Sequence, residues 1–140
     1  MKRGFTLVEL LVVIAIIAIL STLSVVALNS ARAKARDARR LSDIKQIRTA
    51  LDMYYDSSSS YPTTCAGLGS STGCLCLTSI GWVSSSVSDC TGTIFMQKVP
   101  KDPGAYSYNY TLGAGSTTYK IVYTLDNGTV QTATPNSMAE

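Results

Sequence analysis

The sequence predicts an α+β protein: one long N-terminal α-helix, apolar in its first half and amphipathic in its second, packs on a small antiparallel β-sheet with a disulfide-bearing loop region. Three observations carry this reading. An apolar run begins at Phe5, and no Gly or Pro interrupts the chain from there until Pro62. Past Leu28, Leu41, Ile44, Ile47, Leu51 and Tyr54 recur at three- and four-residue steps, the spacing that puts one stripe on one helix face. From Tyr106 the period becomes two, as in "YSYNYT" and "TYKIVYTL", the alternation of half-buried strands.

At 140 residues the chain holds one small domain, and a formal charge of +3 with a pI near 8.7 is too mild to imply a nucleic-acid partner. Only 15% of residues are charged and 46% are apolar, because a greasy N-terminus is joined to a remainder rich in Ser, Thr, Gly and Tyr; the two halves call for two solvents. The absence of His removes the commonest general base, the Ser-His and Cys-His nucleophile pairs and the commonest zinc ligand. No enzymatic activity and no cofactor are expected.

The first element runs from Phe5 to Leu28, long enough for the ~20 residues a helix needs to cross the hydrocarbon core. Thr6, Ser21, Thr22 and Ser24 dilute it without ending it, since helix hydroxyls bond back to carbonyls a turn earlier. With the amphipathic segment behind it, it reads as one continuous helix from Phe5 to about Tyr55, ~75 Å long at ~1.5 Å per residue. Glu9 is the anomaly, because an ionised carboxylate at bilayer depth costs roughly 2.5 to 3.5 kcal/mol on insertion scales. A cleaved secretory signal would account for Lys2, Arg3 and the small residues Val25-Val26-Ala27, but not for an acid inside the apolar stretch. A plain membrane anchor leaves the acid unexplained too, and a buried soluble helix this apolar all round would need a larger domain.

"KRGFTLVELL" resembles the type IV prepilin signature, in which a short basic leader ends in Gly, Phe follows, and Glu lies four residues beyond the Phe. The resemblance covers leader, cleavage site, acid and apolar helix. It implies that prepilin peptidase cuts between Gly4 and Phe5 on the cytoplasmic side and methylates the new amine of Phe5. The mature subunit would then leave the membrane and pack by its helix into a filament of identical or related pilin subunits. The chain divides accordingly into a leader (1–4), a transmembrane and filament-core helix (5–28), its amphipathic continuation (29–56) and a globular loop and sheet domain (57–140). Glu9 gains a purpose in such a stack. Each acid can sit against the Phe5 amine of a neighbour, and any other stagger leaves a charge buried alone in a low dielectric. Before assembly Glu9 lies about one turn from the new N-terminus, where it can pair with its own amine or reach toward headgroups.

The positive-inside rule, counting Lys2 and Arg3 against Arg32, Lys34, Arg36, Arg39 and Arg40, would leave the C-terminal domain in the cytoplasm. The resemblance implies the reverse: a single-pass protein of the cytoplasmic membrane with its domain outside the cytoplasm, carried after assembly to a pilus or the cell surface. The stretch "ARAKARDARR" is expected to be a face for subunit contact, lipid headgroups or solvent, with Arg32, Arg36, Arg39 and Arg40 as candidate phosphate or partner contacts. Such cations can track nucleic acid, with Tyr54, Tyr55 and Tyr61 stacking on bases. Against that, Asp37 and Asp43 interrupt the run, Arg39 and Asp43 sit four residues apart as a helix ion pair does, and loss of the leader leaves ten basic against nine acidic residues.

"DSSSSYP" ends the helix at Pro62, whose ring disfavours helix at the residue before it, and Tyr61-Pro62 at this place again resembles the pilin family. Thr63 to about Phe95 reads as a loop-rich region. Gly67, Gly69 and Gly73 lack the Lys-Ser/Thr of a phosphate loop and the spacing of a dinucleotide turn, which leaves them the role of flexible loop glycines. Cys65, Cys74, Cys76 and Cys90 are an even set in the part expected outside the cytoplasm, so disulfides are the expectation; a zinc site would more usually show paired Cys-x-x-Cys hooks. A direct Cys74–Cys76 bond is sterically poor. Cys65 therefore joins one of these two and Cys90 the other, and both pairings stay open.

Tyr119, Ile121, Tyr123 and Leu125 share one strand face, and Asp126-Asn127-Gly128 is a hairpin signal, giving a three-stranded meander that ends in "TVQTAT". "VPKDPGAYSY" resembles the stretch leading into the sheet of pseudopilins and small pilins. Major pseudopilins often carry an acidic calcium loop near the C-terminus; this chain offers only Asp126 and Asn127, so no calcium or other metal site is expected. Asn109-Tyr110-Thr111 and Asn127-Gly128-Thr129 match the glycosylation sequon, a triplet frequent by chance. The expected function is that of a structural subunit of a type IV pilus-like filament serving adhesion, motility, DNA uptake or secretion. The alternative is a membrane-anchored extracytoplasmic binding module that never polymerises and needs no amine–carboxylate pair.

Overall fold

The computed structural model describes residues 4–84 and 86–136; the leader residues Lys2 and Arg3 lie outside them. The chain forms two compact units, Met1–Ala35 and Arg36–Glu140. Helix α1 spans Leu7–Ser58, close to the expected bounds. It stops where Ser59 turns to φ 52° and donates its N–H to the Tyr55 carbonyl at 2.7 Å, a left-handed residue closing the last turn.

In the first unit no Phe, Leu, Ile or Val from Phe5 to Leu28 is less than 47% exposed, a surface that requires an apolar medium around it. As expected of hydroxyls in such a helix, Thr22 and Ser24 donate to the Ile19 and Leu20 carbonyls, both at 2.8 Å.

In the second unit α1 buries Arg40, Asp43, Ile44, Ile47, Ala50, Leu51 and Tyr54. The stripe expected from apolar spacing is corrected at its start: Leu41 is 38% exposed, and Arg40 is completely buried in its stead. Apolar periodicity cannot register a stripe whose first members are charged and held inward by an ionic partner, as Arg40 is, or a buried hydroxyl, as Asp43 is.

Among the described residues seven strands follow: β1 (Cys65–Leu68), β2 (Cys76–Thr78), β3 (Gly81–Val83), β4 (Ile94–Met96), β5 (Tyr108–Leu112), β6 (Tyr119–Thr124) and β7 (Val130–Ala133). They make two antiparallel sheets, β1-β5-β6-β7 and β3-β2-β4. The meander β5-β6-β7 matches the period-two reading, and its register sets Cys65, Tyr110, Ile121 and Ala133 side by side across the larger sheet. All four are buried, in one core with Ile44, Ile47, Leu51 and Tyr54 of the helix. At ~1.5–3 kcal/mol for each fully buried large apolar side chain, that shared core holds helix and sheet together.

The stretch from Thr63 to Phe95 is loop-rich, as expected, and carries in addition the short strands β1 to β3 and the start of β4, three or four residues each and too short to show alternation. The flexible role given to the glycines is corrected. A Cβ on Gly73 would stand 1.7 Å from the Gly67 carbonyl oxygen, and one on Gly69 2.2 Å from that of Pro100, so these are close backbone crossings. The disulfides are Cys65–Cys74 and Cys76–Cys90, one of the two pairings left open.

Candidate functional site

At the N-terminus Gly4, Phe5 and Thr6 precede the helix without regular structure, and Phe5 is 82% exposed. Glu9 does not stand alone. Its Oε2 accepts the backbone N–H of Thr6 and the Thr6 hydroxyl, both at 2.8 Å, while Thr6 Oγ1 accepts the Glu9 N–H at 3.3 Å. This is a reciprocal capping box closing the helix start. The sequence carries its signal, Thr-x-x-Glu before an apolar run, alongside the charge that suggests pairing. Within the chain, then, the acid satisfies donors that the helix would otherwise leave open.

The second cluster lies in the folded unit and changes the reading of the basic stretch. Arg40 Nε donates to Asp102 Oδ2 at 2.7 Å and Nη2 to Asp102 Oδ1 at 3.1 Å. Its Nη1 serves Asp37 Oδ1 at 2.6 Å and Asp126 Oδ1 at 2.5 Å. Arg36 Nε donates to Asp126 Oδ2 at 2.7 Å, and the Asp126 N–H to Asp37 Oδ1 at 2.9 Å. Asp102, bonded to the Gly104 N–H as well, is driven up by burial but held below the ordinary carboxylate range by Arg40. Arg36 and then Arg40 pull Asp126 down to about 2.

Arg36 and Arg40 are therefore internal ion-pair partners, not free contacts for phosphate or a partner; Arg32 and Arg39 remain exposed. Asp43 accepts the Tyr108 hydroxyl at 3.0 Å. The tyrosines proposed for base stacking are committed to the core: Tyr54 and Tyr61 are buried, and the Tyr55 ring lies 4.6 Å from that of Tyr61.

A processing signature on an exposed apolar helix, followed by a small disulfide-stapled α+β domain, defines the pilin-like class of proteins. Comparison with known proteins agrees. Residues 1–25 match the family described as the prokaryotic N-terminal methylation motif, and residues 26–137 match type II secretion system protein G. The chain belongs to the type II secretion system protein G family. Relatives named type II secretion system core protein G include one from Escherichia coli (strain K12), 36% identical over 112 residues, covering 75% of this chain and 77% of the relative. Another, from Dickeya chrysanthemi, is 45% identical over 68 residues, covering 49% of this chain and 44% of the relative, so the match spans less than half of that protein. A third, from Pectobacterium carotovorum subsp. carotovorum, is 33% identical over 107 residues, covering 76% and 65%. None of these names denotes an enzyme. No solved structure matches the chain.

Proposed function

We propose that the chain is a structural subunit of a type IV pilus-like filament of the secretion type. Prepilin peptidase cleaves it after Gly4 and methylates the amine of Phe5, and it polymerises through its apolar helix with identical or related subunits. Before assembly it is held in the cytoplasmic membrane with the disulfide-bearing domain outside the cytoplasm, the compartment in which disulfides persist. The observation that carries this is Glu9, an acid at the head of an otherwise apolar helical segment, 7–28, whose Leu, Ile and Val side chains are all exposed. In a filament it meets the Phe5 amine of a neighbour.

The Thr6–Glu9 cap favours a second reading, the non-polymerising anchor, because it satisfies the acid without any neighbour. Two variants separate the readings. If Glu9 pairs between subunits, Glu9→Val gives stable membrane protein with few or no sheared filaments, since the Phe5 amine is then buried unneutralised, while Thr6→Val, which removes the two hydroxyl bonds of the cap and leaves the backbone N–H bond to Glu9, still assembles. If the cap is the acid's whole purpose, both variants assemble. Normal filaments from Glu9→Val would overturn the filament role of the acid.

A further inference from the structure

The C-terminal hairpin turn is where the pseudopilin resemblance would place a calcium ion, and the residues present do not fit one. Calcium takes six to eight oxygen ligands. Both Asp126 oxygens are already occupied, Oδ2 by Arg36 and Oδ1 by Arg40. Asn127 Oδ1 accepts the Thr129 N–H at 2.9 Å, and Gly128 has no side chain to offer. Among the described residues no group of three or more His, Cys, Asp or Glu is arranged to hold a metal ion.

We propose that Arg40, supported by Arg36, is the resident cation of this turn: a covalently attached guanidinium supplies the counter-charge for Asp37, Asp102 and Asp126, and locks the turn and the loop at 101–106 to helix α1 without a divalent ion. The three carboxylates reach one side chain from separate places, Asp102 lying 62 residues along the chain from Arg40 and Asp126 86. The pocket is shaped for it. A Cβ on Gly104 would come 2.8 Å from Arg40 Nη2, and the Tyr106 ring centroid lies 5.6 Å from the guanidinium carbon. A guanidinium keeps its charge at every working pH and cannot dissociate into solution, so the order of the turn does not depend on a free divalent ion.

The test uses the full chain in detergent, melted with EDTA and again with added calcium, and digested with a protease that cuts before Asp. The wild-type chain melts at the same temperature in both media and resists cleavage at Leu125–Asp126. Arg40→Met, similar in length but unable to pair, melts more than about 10 °C lower, by the cost of stranding buried charges, and is cut there. Should that variant not fold, Arg36→Gln decides: it keeps the fold and is cut at Leu125–Asp126 faster than wild type. A wild-type chain destabilised by EDTA, a turn in Arg36→Gln as resistant as in the wild type, or an Arg40→Met protein that melts normally would overturn the proposal.

Discussion

A Cβ at Gly4 would meet no heavy atom of the described residues beyond its chain neighbours within 4 Å, and the residue lies ahead of the helix, so nothing in the described fold requires glycine there. If glycine is needed at position 4, the need comes from the peptidase proposed to cut beside it. Gly4→Leu is therefore expected to fold and insert normally yet to remain unprocessed, which the intact mass of the membrane-extracted protein reads directly. Loss of the first four residues with gain of a methyl group in that variant would contradict the proposed cleavage. Glu9 differs from Gly4 in being engaged already. Its bonds to Thr6 bring the acid into its own helix terminus, where the unpaired N–H groups and the positive end of the helix dipole favour a carboxylate. Assembly at Glu9 would then be an exchange of one set of partners for another rather than the rescue of a bare charge.

At the scale of elements, what could be read in advance depended on length. Helix α1 and the strands β5, β6 and β7 show their periods over enough residues to be recognised, whereas β2, β3 and β4 have three residues each and are held by pairing and by a disulfide. Cys76 begins β2, and its bridge to Cys90 spans the β2–β3 hairpin from a segment with little apolar matter of its own. Losing a disulfide from a small domain commonly costs about 2 to 5 kcal/mol. Cys90→Ser is expected to make residues 76–96 protease-sensitive while leaving α1 and cleavage at Gly4 unaffected, and a digestion pattern identical to that of the wild type would refute it. Arg40 and Asp43 escaped the reading because a charged residue on a buried stripe looks, in sequence, like a residue on the wet face. Only its partners 62 to 86 residues away reveal it. The Thr-x-x-Glu cap, by contrast, is legible in the sequence because its two partners lie one helical turn apart.

For the whole folded unit, the unusual quantity is how much of the core is phenolic. Tyr61, Tyr108, Tyr110, Tyr119 and Tyr123 are buried, and they touch one another as well as the helix: Tyr61 and Tyr119 rings lie 4.7 Å apart, Tyr110 and Tyr119 5.7 Å. Two hydroxyls are bonded inward, Tyr108 to Asp43 and Tyr110 to the Pro62 carbonyl at 2.9 Å. Burial raises the titration of all five above the ordinary phenol range, Tyr119 to about 12, with Asp43 adding to the effect at Tyr108. In the unfolded chain the same groups ionise near pH 10. A group whose folded pKa is raised contributes stability that is complete below the unfolded value and is lost as pH rises through the folded one. The window of loss therefore opens at about pH 10, and five groups act in the same direction. The domain is expected to hold its fold to about that pH and then unfold cooperatively, tyrosinate absorbance rising together with loss of the near-ultraviolet circular dichroism. Phenols that titrate one by one near pH 10 while the dichroism stays intact would show that these side chains are reached by water in the native state and that the core is not built as described.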